Sequence, residues 1–170
     1  MKYSNAVKSA LSAAVLGFLA LGLVSTPAFA QTNPATTTFN VTATVAKDCV
    51  VSATGLGFGS YIGAAVNVSS IVTVTCTSGT AYTVGLNAGL TTSATVTTRQ
   101  MGITQPAGGL NYSLLTTSYT GTNWGNTTGS WVSGSGNGAA QPITVFGVLA
   151  ANQFVPPGSY TDTITATVTY

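Results

Sequence analysis

The chain has 170 residues, of which 45% are hydrophobic and only 4% are charged, and its formal net charge is +2. It contains no histidine and no glutamate, so no imidazole base is available and the only carboxylate side chains are Asp48 and Asp162. Four basic residues are too few to neutralise a nucleic-acid backbone. The 31 threonines supply polarity in place of charge and favour β structure.

The first thirty residues have the features of a secretory signal peptide. Lys2 and Lys8 precede an apolar stretch over 10–24, and the pattern Ala28-Phe29-Ala30 is typical of a cleavage site. The apolar stretch is shorter than the roughly 20 residues that a transmembrane helix needs. We therefore expect cleavage between Ala30 and Gln31, and export of the chain 31–170.

The exported chain is predicted to begin with a flexible leader over 31–48. Its start is polar and contains Pro34, and from residue 39 onward apolar and polar residues alternate. A period of two is typical of a strand with one apolar face. The apolar face of this candidate strand consists of Phe39, Val41, Ala43 and Val45.

Two cysteines, Cys49 and Cys76, follow the leader. An even number of cysteines in an exported domain is typical of a disulfide. Free thiols or a metal site are the alternatives, although two cysteines without any histidine make a poor zinc site.

Further alternating segments follow in the order expected for an all-β domain. The sequence predicts a strand over 71–76, a connector over 101–109, a long polar loop over 118–138, a strand over 143–149 and a last strand over 160–170. Two more apolar faces comprise Tyr82, Val84 and Leu86, and Leu110, Tyr112 and Leu114.

Short strands at this spacing favour a single antiparallel β-sandwich over 49–170. The last strand runs to Tyr170, so nothing that follows it in the sequence covers its edge. Its apolar face, the candidate acceptor groove, consists of Ile164, Ala166, Val168 and Tyr170. The leader of one chain is suited to complete the sheet of the next, which is strand addition. The alternative is that 39–45 is an ordinary first strand of its own sheet.

Several motifs resemble the spore coat protein U domain family. They include Leu56-Gly-Phe-Gly-Ser-Tyr61, Val72-Thr-Val-Thr-Cys-Thr-Ser-Gly79, Tyr82-Thr-Val-Gly-Leu-Asn-Ala-Gly89 and Pro157-Gly-Ser-Tyr-Thr-Asp-Thr163, and they occur in order across most of 49–170. The family includes subunits of archaic chaperone–usher pili. The resemblance implies an incomplete immunoglobulin-like sandwich completed by donor-strand complementation, and a disulfide matching Cys49–Cys76. It also implies a periplasmic chaperone and an outer-membrane usher as partners.

We therefore expect a structural subunit of a surface fimbria, assembled as a homopolymer and supporting adhesion or biofilm formation. It would pass through the periplasm to the cell surface, without catalysis, cofactor, metal or nucleic acid. One alternative is a coat or matrix protein of the same fold that forms no pilus. Another is a carbohydrate-binding or adhesive sandwich that uses Trp124 and Trp131, although these residues are also suited to capping the sandwich.

Overall fold

The computed structural model describes residues 33–103 and 108–170. The predicted signal peptide and its cleavage site at Ala30 and Gln31 lie outside the described residues. The chain divides into two units, Met1–Thr42 and Ala43–Tyr170. The described part of the first unit contains no strand, and its residues are exposed.

The second unit consists of β-strands and connections, with no helix among its described residues. Every strand pairing is antiparallel. The strands are β1 (Cys49–Ala53), β2 (Val66–Cys76), β3 (Ala81–Leu86), β4 (Arg99–Ile103), β5 (Gly108–Leu115), β6 (Val132–Ser135), β7 (Gln141–Leu149) and β8 (Ala166–Thr169).

These strands form two sheets. One has five strands in the order β1-β2-β7-β5-β4, and the other has three in the order β6-β3-β8. Alternate residues of each long strand point into a shared core, as the period of two in the sequence predicts. The predicted all-β antiparallel sandwich is therefore confirmed.

The core contains the apolar faces predicted from the sequence. Each of the following side chains is at most 7% exposed: Val72, Val74 and Cys76 of β2; Tyr82, Val84 and Leu86 of β3; Leu110, Tyr112 and Leu114 of β5; and Val145 and Leu149 of β7. Trp124, which precedes β6, is fully buried in the same cluster. These contacts hold the two sheets together through apolar burial.

Two of the predicted connections were wrong. The expected connector over 101–109 contains the end of β4 and the start of β5, and the expected loop over 118–138 contains β6. Strand β4 includes Arg99, and β6 is the short segment Val-Ser-Gly-Ser, so neither has an alternating apolar pattern of useful length. Pairing with β5 and β3, respectively, makes them strands.

The predicted last strand over 160–170 is also shorter than expected. Thr161 forms an isolated bridge to Gly102 at the edge of the five-stranded sheet, whereas Ala166–Thr169 pairs with β3 in the other sheet. The chain thus crosses between the sheets over 162–165, and a single ladder cannot continue through the crossing. Alternate side chains nevertheless stay half-buried from 160 to 168.

Candidate functional site

An open groove lies between the two sheets on the side where β1 and β8 are the edge strands. Among the described residues, β1 pairs only with β2, and β8 pairs only with β3. A hollow of about 400 Å³ lies beside these edges. Unpaired strand edges on both sides of an apolar hollow can accept a further strand.

The lining of this hollow is mostly apolar. Leu56 and Phe58, which follow β1, line one part, and the ring of Phe58 packs edge-on against Tyr112 with centroids 6.1 Å apart. The remaining apolar lining comes from both sheets: Ala53, Val72, Leu86, Met101, Leu114, Val145, Tyr160, Ile164 and Ala166. An inserted apolar side chain would therefore replace water with close packing.

The groove is closed at one end and open at the other. At the closed end, the Tyr170 hydroxyl, just after β8, donates to Asp48 Oδ1, just before β1, at 3.4 Å, and this contact spans the gap between the two edge strands. At the other end, the lining residues Leu56, Phe58, Met101 and Tyr160 are shared with a second hollow of about 690 Å³. The groove is the first hollow, and the second hollow begins where the groove opens.

The predicted acceptor residues do not all lie in this hollow. Ile164 and Ala166 line it directly, and Val168 is half-buried on the same face of the chain. Tyr170 is 53% exposed and lies at the closed end. The sequence did not predict that Leu56, Phe58 and Met101 line the groove, because this depends on how the two sheets face each other.

The predicted donor residues are exposed and unpaired in the described structure. Phe39, Val41 and Val45 are 82–84% exposed, Ala43 is also exposed, and none of the four lies in a strand. A contiguous row of exposed apolar side chains marks an interaction surface. The alternative of an ordinary first strand has no ladder to support it within the described residues.

The cysteine prediction is confirmed, because Cys49 and Cys76 are joined by a disulfide. They are directly opposite each other in the β1–β2 ladder. The bond fastens the start of β1 to the end of β2, and so anchors one wall of the groove at its closed end.

Arg99, at the start of β4, is fully buried, which the sequence analysis did not anticipate. Its guanidinium donates to the main-chain carbonyls of Leu86 at 3.2 Å, Asn87 at 2.7 and 2.9 Å, Val96 at 2.9 Å and Trp124 at 2.6 Å. Burial lowers the pKa of Arg99, while Tyr112 and Asp162 oppose that shift. The side chain thus ties the end of β3 and both ends of the β3–β4 connection to the β5–β6 connection.

Asp162 stands at the groove, where the last segment crosses between the sheets. Its Oδ1 accepts hydrogen bonds from the amides of Leu90 at 2.8 Å and Thr163 at 2.7 Å, and its Oδ2 accepts one from the Tyr112 hydroxyl at 2.5 Å. Burial, and then the hydrogen bond to Asp162, raise the pKa of Tyr112. At Gly89 the backbone is so close that a Cβ would overlap the Asp162 carboxylate, and its φ of +92° also favours glycine.

The two tryptophans differ in their surroundings. Trp124 is fully buried, and its indole nitrogen donates to the Val84 carbonyl at 2.8 Å. Trp131 is 36% exposed. Trp124 therefore packs within the core, as the capping alternative predicted, and only Trp131 presents surface to a ligand.

No group of three or more His, Cys, Asp or Glu side chains suitable for a metal occurs within 33–103 and 108–170. Over the same residues, no helix is long and apolar enough to cross a membrane.

Comparison with known proteins identifies the family. Residues 35–167 match the Spore Coat Protein U domain. Protein U of Myxococcus xanthus is 33% identical over an alignment of 183 positions, gaps included, that covers 98% of this chain and 99% of that protein. A solved structure, the CsuC–CsuE chaperone–tip adhesion subunit pre-assembly complex from archaic chaperone–usher Csu pili of Acinetobacter baumannii, contains a chain with the same fold.

The match to that structure has a TM-score of 0.58 at 24% identity, and covers 75% of this chain and 41% of the solved chain. This chain thus spans less than half of the length of the solved chain. The family match covers most of the sequence, including β1 to β7 and the alternating leader. The chain therefore belongs to the Spore Coat Protein U domain family.

Proposed function

We propose that this chain is a structural subunit of a surface fimbria, assembled by donor-strand exchange. The observation that carries the proposal is the pairing of an unfilled apolar groove with an exposed alternating leader in the same chain. The four side chains Phe39, Val41, Ala43 and Val45 would enter the groove of the next subunit, and the leader backbone would pair with its exposed edges. Burial of each large side chain is worth about 1.5–3 kcal/mol.

The proposed partners follow from the same groove. Before assembly, a periplasmic chaperone would cover the apolar surface, and an outer-membrane usher would exchange the chaperone for the leader of the next subunit. The homopolymer would stand on the cell surface and support adhesion or biofilm formation. Support for this route comes from the fold shared with a chain of the CsuC–CsuE complex, which is a chaperone–subunit complex of archaic pili. The groove has no catalytic role in this proposal.

The family name favours a second candidate, a coat or matrix protein of the same fold that forms no pilus. Such a protein would use the leader and groove to build a layer without an usher. Electron microscopy of cells with and without the gene separates the two candidates, because only the first gives thin surface fibres that disappear with the gene.

The donor strand is tested by Val41→Asp, with Thr42→Asp as the matched control. Both positions are exposed in the subunit, so neither change should alter its own stability. In the polymer, however, side chains 41 and 42 point to opposite faces. Val41→Asp would bury an unpaired charge and should lower the yield of polymer more than about 100-fold. Thr42→Asp should have a much smaller effect.

A labelled peptide of residues 36–47 makes the test independent of any chaperone or usher. The Val41→Asp chain has an intact groove, so it should bind the wild-type peptide while failing to polymerise. The peptide that carries Val41→Asp should not bind. Loss of folded subunit in the Val41→Asp chain would instead show that this segment is an integral strand of its own domain.

A further inference from the structure

Two of the most exposed apolar side chains in the second unit lie together at the open end of the groove. Ile62 is 90% exposed and Phe154 is 89% exposed, and both line the second hollow. They belong to two different loops, one after β1 and the other after β7. Exposed apolar pairs of this kind mark contact surfaces in many proteins.

The loops that carry this pair are held in place. The Asn152 amide donates to the Gly63 carbonyl at 2.9 Å, and the Gln153 amide donates to the Tyr61 hydroxyl at 3.0 Å. The Tyr61 hydroxyl in turn donates to the Ala150 carbonyl at 2.7 Å. The exposed pair is therefore carried by two loops that are joined to each other by hydrogen bonds.

The pair and the leader are attached at opposite ends of the sandwich. Strand β2 starts at Val66, near Ile62, and ends at Cys76, which is opposite Cys49. Eleven residues of strand separate the ends by roughly 33 Å. The chain enters the sandwich at Cys49, so the leader is attached at the closed end of the groove.

We propose that Ile62 and Phe154 form a docking surface for the body of a second copy of this chain, the copy whose leader occupies the groove. This inference rests on the proposed function. The donor enters from the open end, because the contact between Asp48 and Tyr170 spans the other. Only three residues separate Val45 from Cys49, so the donor body lies within roughly 14 Å of the groove mouth.

The matching surface on the donor is the end that carries Cys49. Its two turns, 77–80 and 136–140, contain only Thr, Ser, Gly, Asn and Ala. These turns themselves contain no charge, and the charged residues at the same end, Lys47 and Asp48, are exposed and can stay in contact with water. Such a contact between the two domains would stabilise the assembled pair beyond the inserted strand alone. It would also limit rotation between neighbouring subunits.

The test compares a double variant, Ile62→Ser with Phe154→Ser, with Leu90→Ser. Leu90 is 73% exposed but lines neither hollow, so it controls for the loss of an exposed apolar side chain. The double variant should bind the labelled 36–47 peptide within about twofold of wild type, because the groove itself is intact. Its polymer should dissociate at least about tenfold faster than wild type or Leu90→Ser polymer.

The outcomes separate this inference from the proposed function. Failure of the wild-type chain to bind the peptide overturns both. Normal peptide binding with unchanged polymer dissociation in the double variant overturns the docking surface alone. Loss of peptide binding in the double variant also overturns it, because the pair would then belong to the groove itself.

A photo-crosslinking residue in place of Phe154 locates the contact directly. In assembled material it should join two copies of the chain, with the second attachment within 77–80 or 136–140. Crosslinks confined to other regions, or no crosslinked dimer, would contradict the assignment.

Discussion

Arg99 shows how one buried charged side chain can stabilise the loops of a protein that has few charged residues. Its guanidinium provides five hydrogen bonds to main-chain carbonyls at the end of β3, in the β3–β4 connection and in the β5–β6 connection. These loops have no regular ladder of their own to satisfy those carbonyls. A planar fork with several donors is suited to this role, and a lysine cannot reproduce it.

Replacement of Arg99 by Met should lower the free energy of unfolding by about 2–4 kcal/mol, because buried carbonyl groups lose their donors. Arg99→Lys should recover only part of this. Urea unfolding of the oxidised chain measures both changes, and Lys47→Met, at an exposed position, is the control. If Arg99→Met were as stable as the control, the guanidinium would not hold these loops.

Because of the Tyr112 hydroxyl, the free energy of unfolding should vary with pH in the alkaline range. Its pKa in the folded chain is raised above the ordinary 10.0, chiefly by burial and then by the hydrogen bond to Asp162. The unfolded chain therefore loses this proton first, and the free energy of unfolding falls as the pH rises above about 10, by at most ~1.4 kcal/mol per pH unit. Below about pH 10 this contribution is fully present.

Tyr112→Phe removes the ionisable group, so its stability should decline less steeply between about pH 10 and 11 than that of wild type. Urea unfolding of both proteins across this range gives the comparison. Equal slopes would mean that Tyr112 titrates alike in the folded and unfolded chains.

At the scale of the elements, the position of β1 beside the groove depends on the Cys49–Cys76 disulfide. Strand β1 has five residues and pairs on one side only among the described strands. The Cys49–Cys76 disulfide holds its first residue, with a sequence separation of 27. In the chain-entropy relation, a loop of this length corresponds to about 3–4 kcal/mol.

Cys49→Ser combined with Cys76→Ser should therefore lower the free energy of unfolding by about 3–4 kcal/mol. It should also weaken binding of the 36–47 peptide, because β1 is less firmly placed. Thermal unfolding and peptide titration measure the two effects. Wild-type peptide affinity in the double variant would show that β1 holds its position without the disulfide.

The elements that the sequence analysis predicted share one property. Strands β2, β3, β5 and β7 have apolar residues at alternate positions and face the core, so local pattern and tertiary environment agree. Strands β4 and β6 lack this pattern, and partner strands decide their conformation. The crossing over 162–165 depends on Asp162, whose hydrogen bonds to Leu90 and Tyr112 join it to segments distant in the sequence.

At the scale of the whole molecule, the charged residues in the described part of the chain are Lys47, Asp48, Arg99 and Asp162, which sum to zero. The polymer should consequently be nearly insensitive to ionic strength, because there is little Coulomb energy to screen. Its dissociation rate should be unchanged between about 0.05 and 1 M NaCl. Dissolution of the polymer by salt alone would contradict this expectation.

The sequence alone determined the composition of the core faces and the alternation in the leader, and it favoured a disulfide between the only two cysteines. These properties follow from local chemistry, since side chains in a strand alternate and apolar faces seek burial. Family resemblance, carried by short motifs, indicated the fold and the open last strand.

Only the tertiary structure decided which surfaces meet. The contributions of Leu56, Phe58 and Met101 to the groove, the burial of Arg99 and the exposure of Ile62 beside Phe154 all depend on contacts between segments far apart in the sequence. A lone arginine or an isolated isoleucine has no periodic pattern to reveal its environment. Its role is set by the packing of the two sheets and by the unpaired edges at β1 and β8.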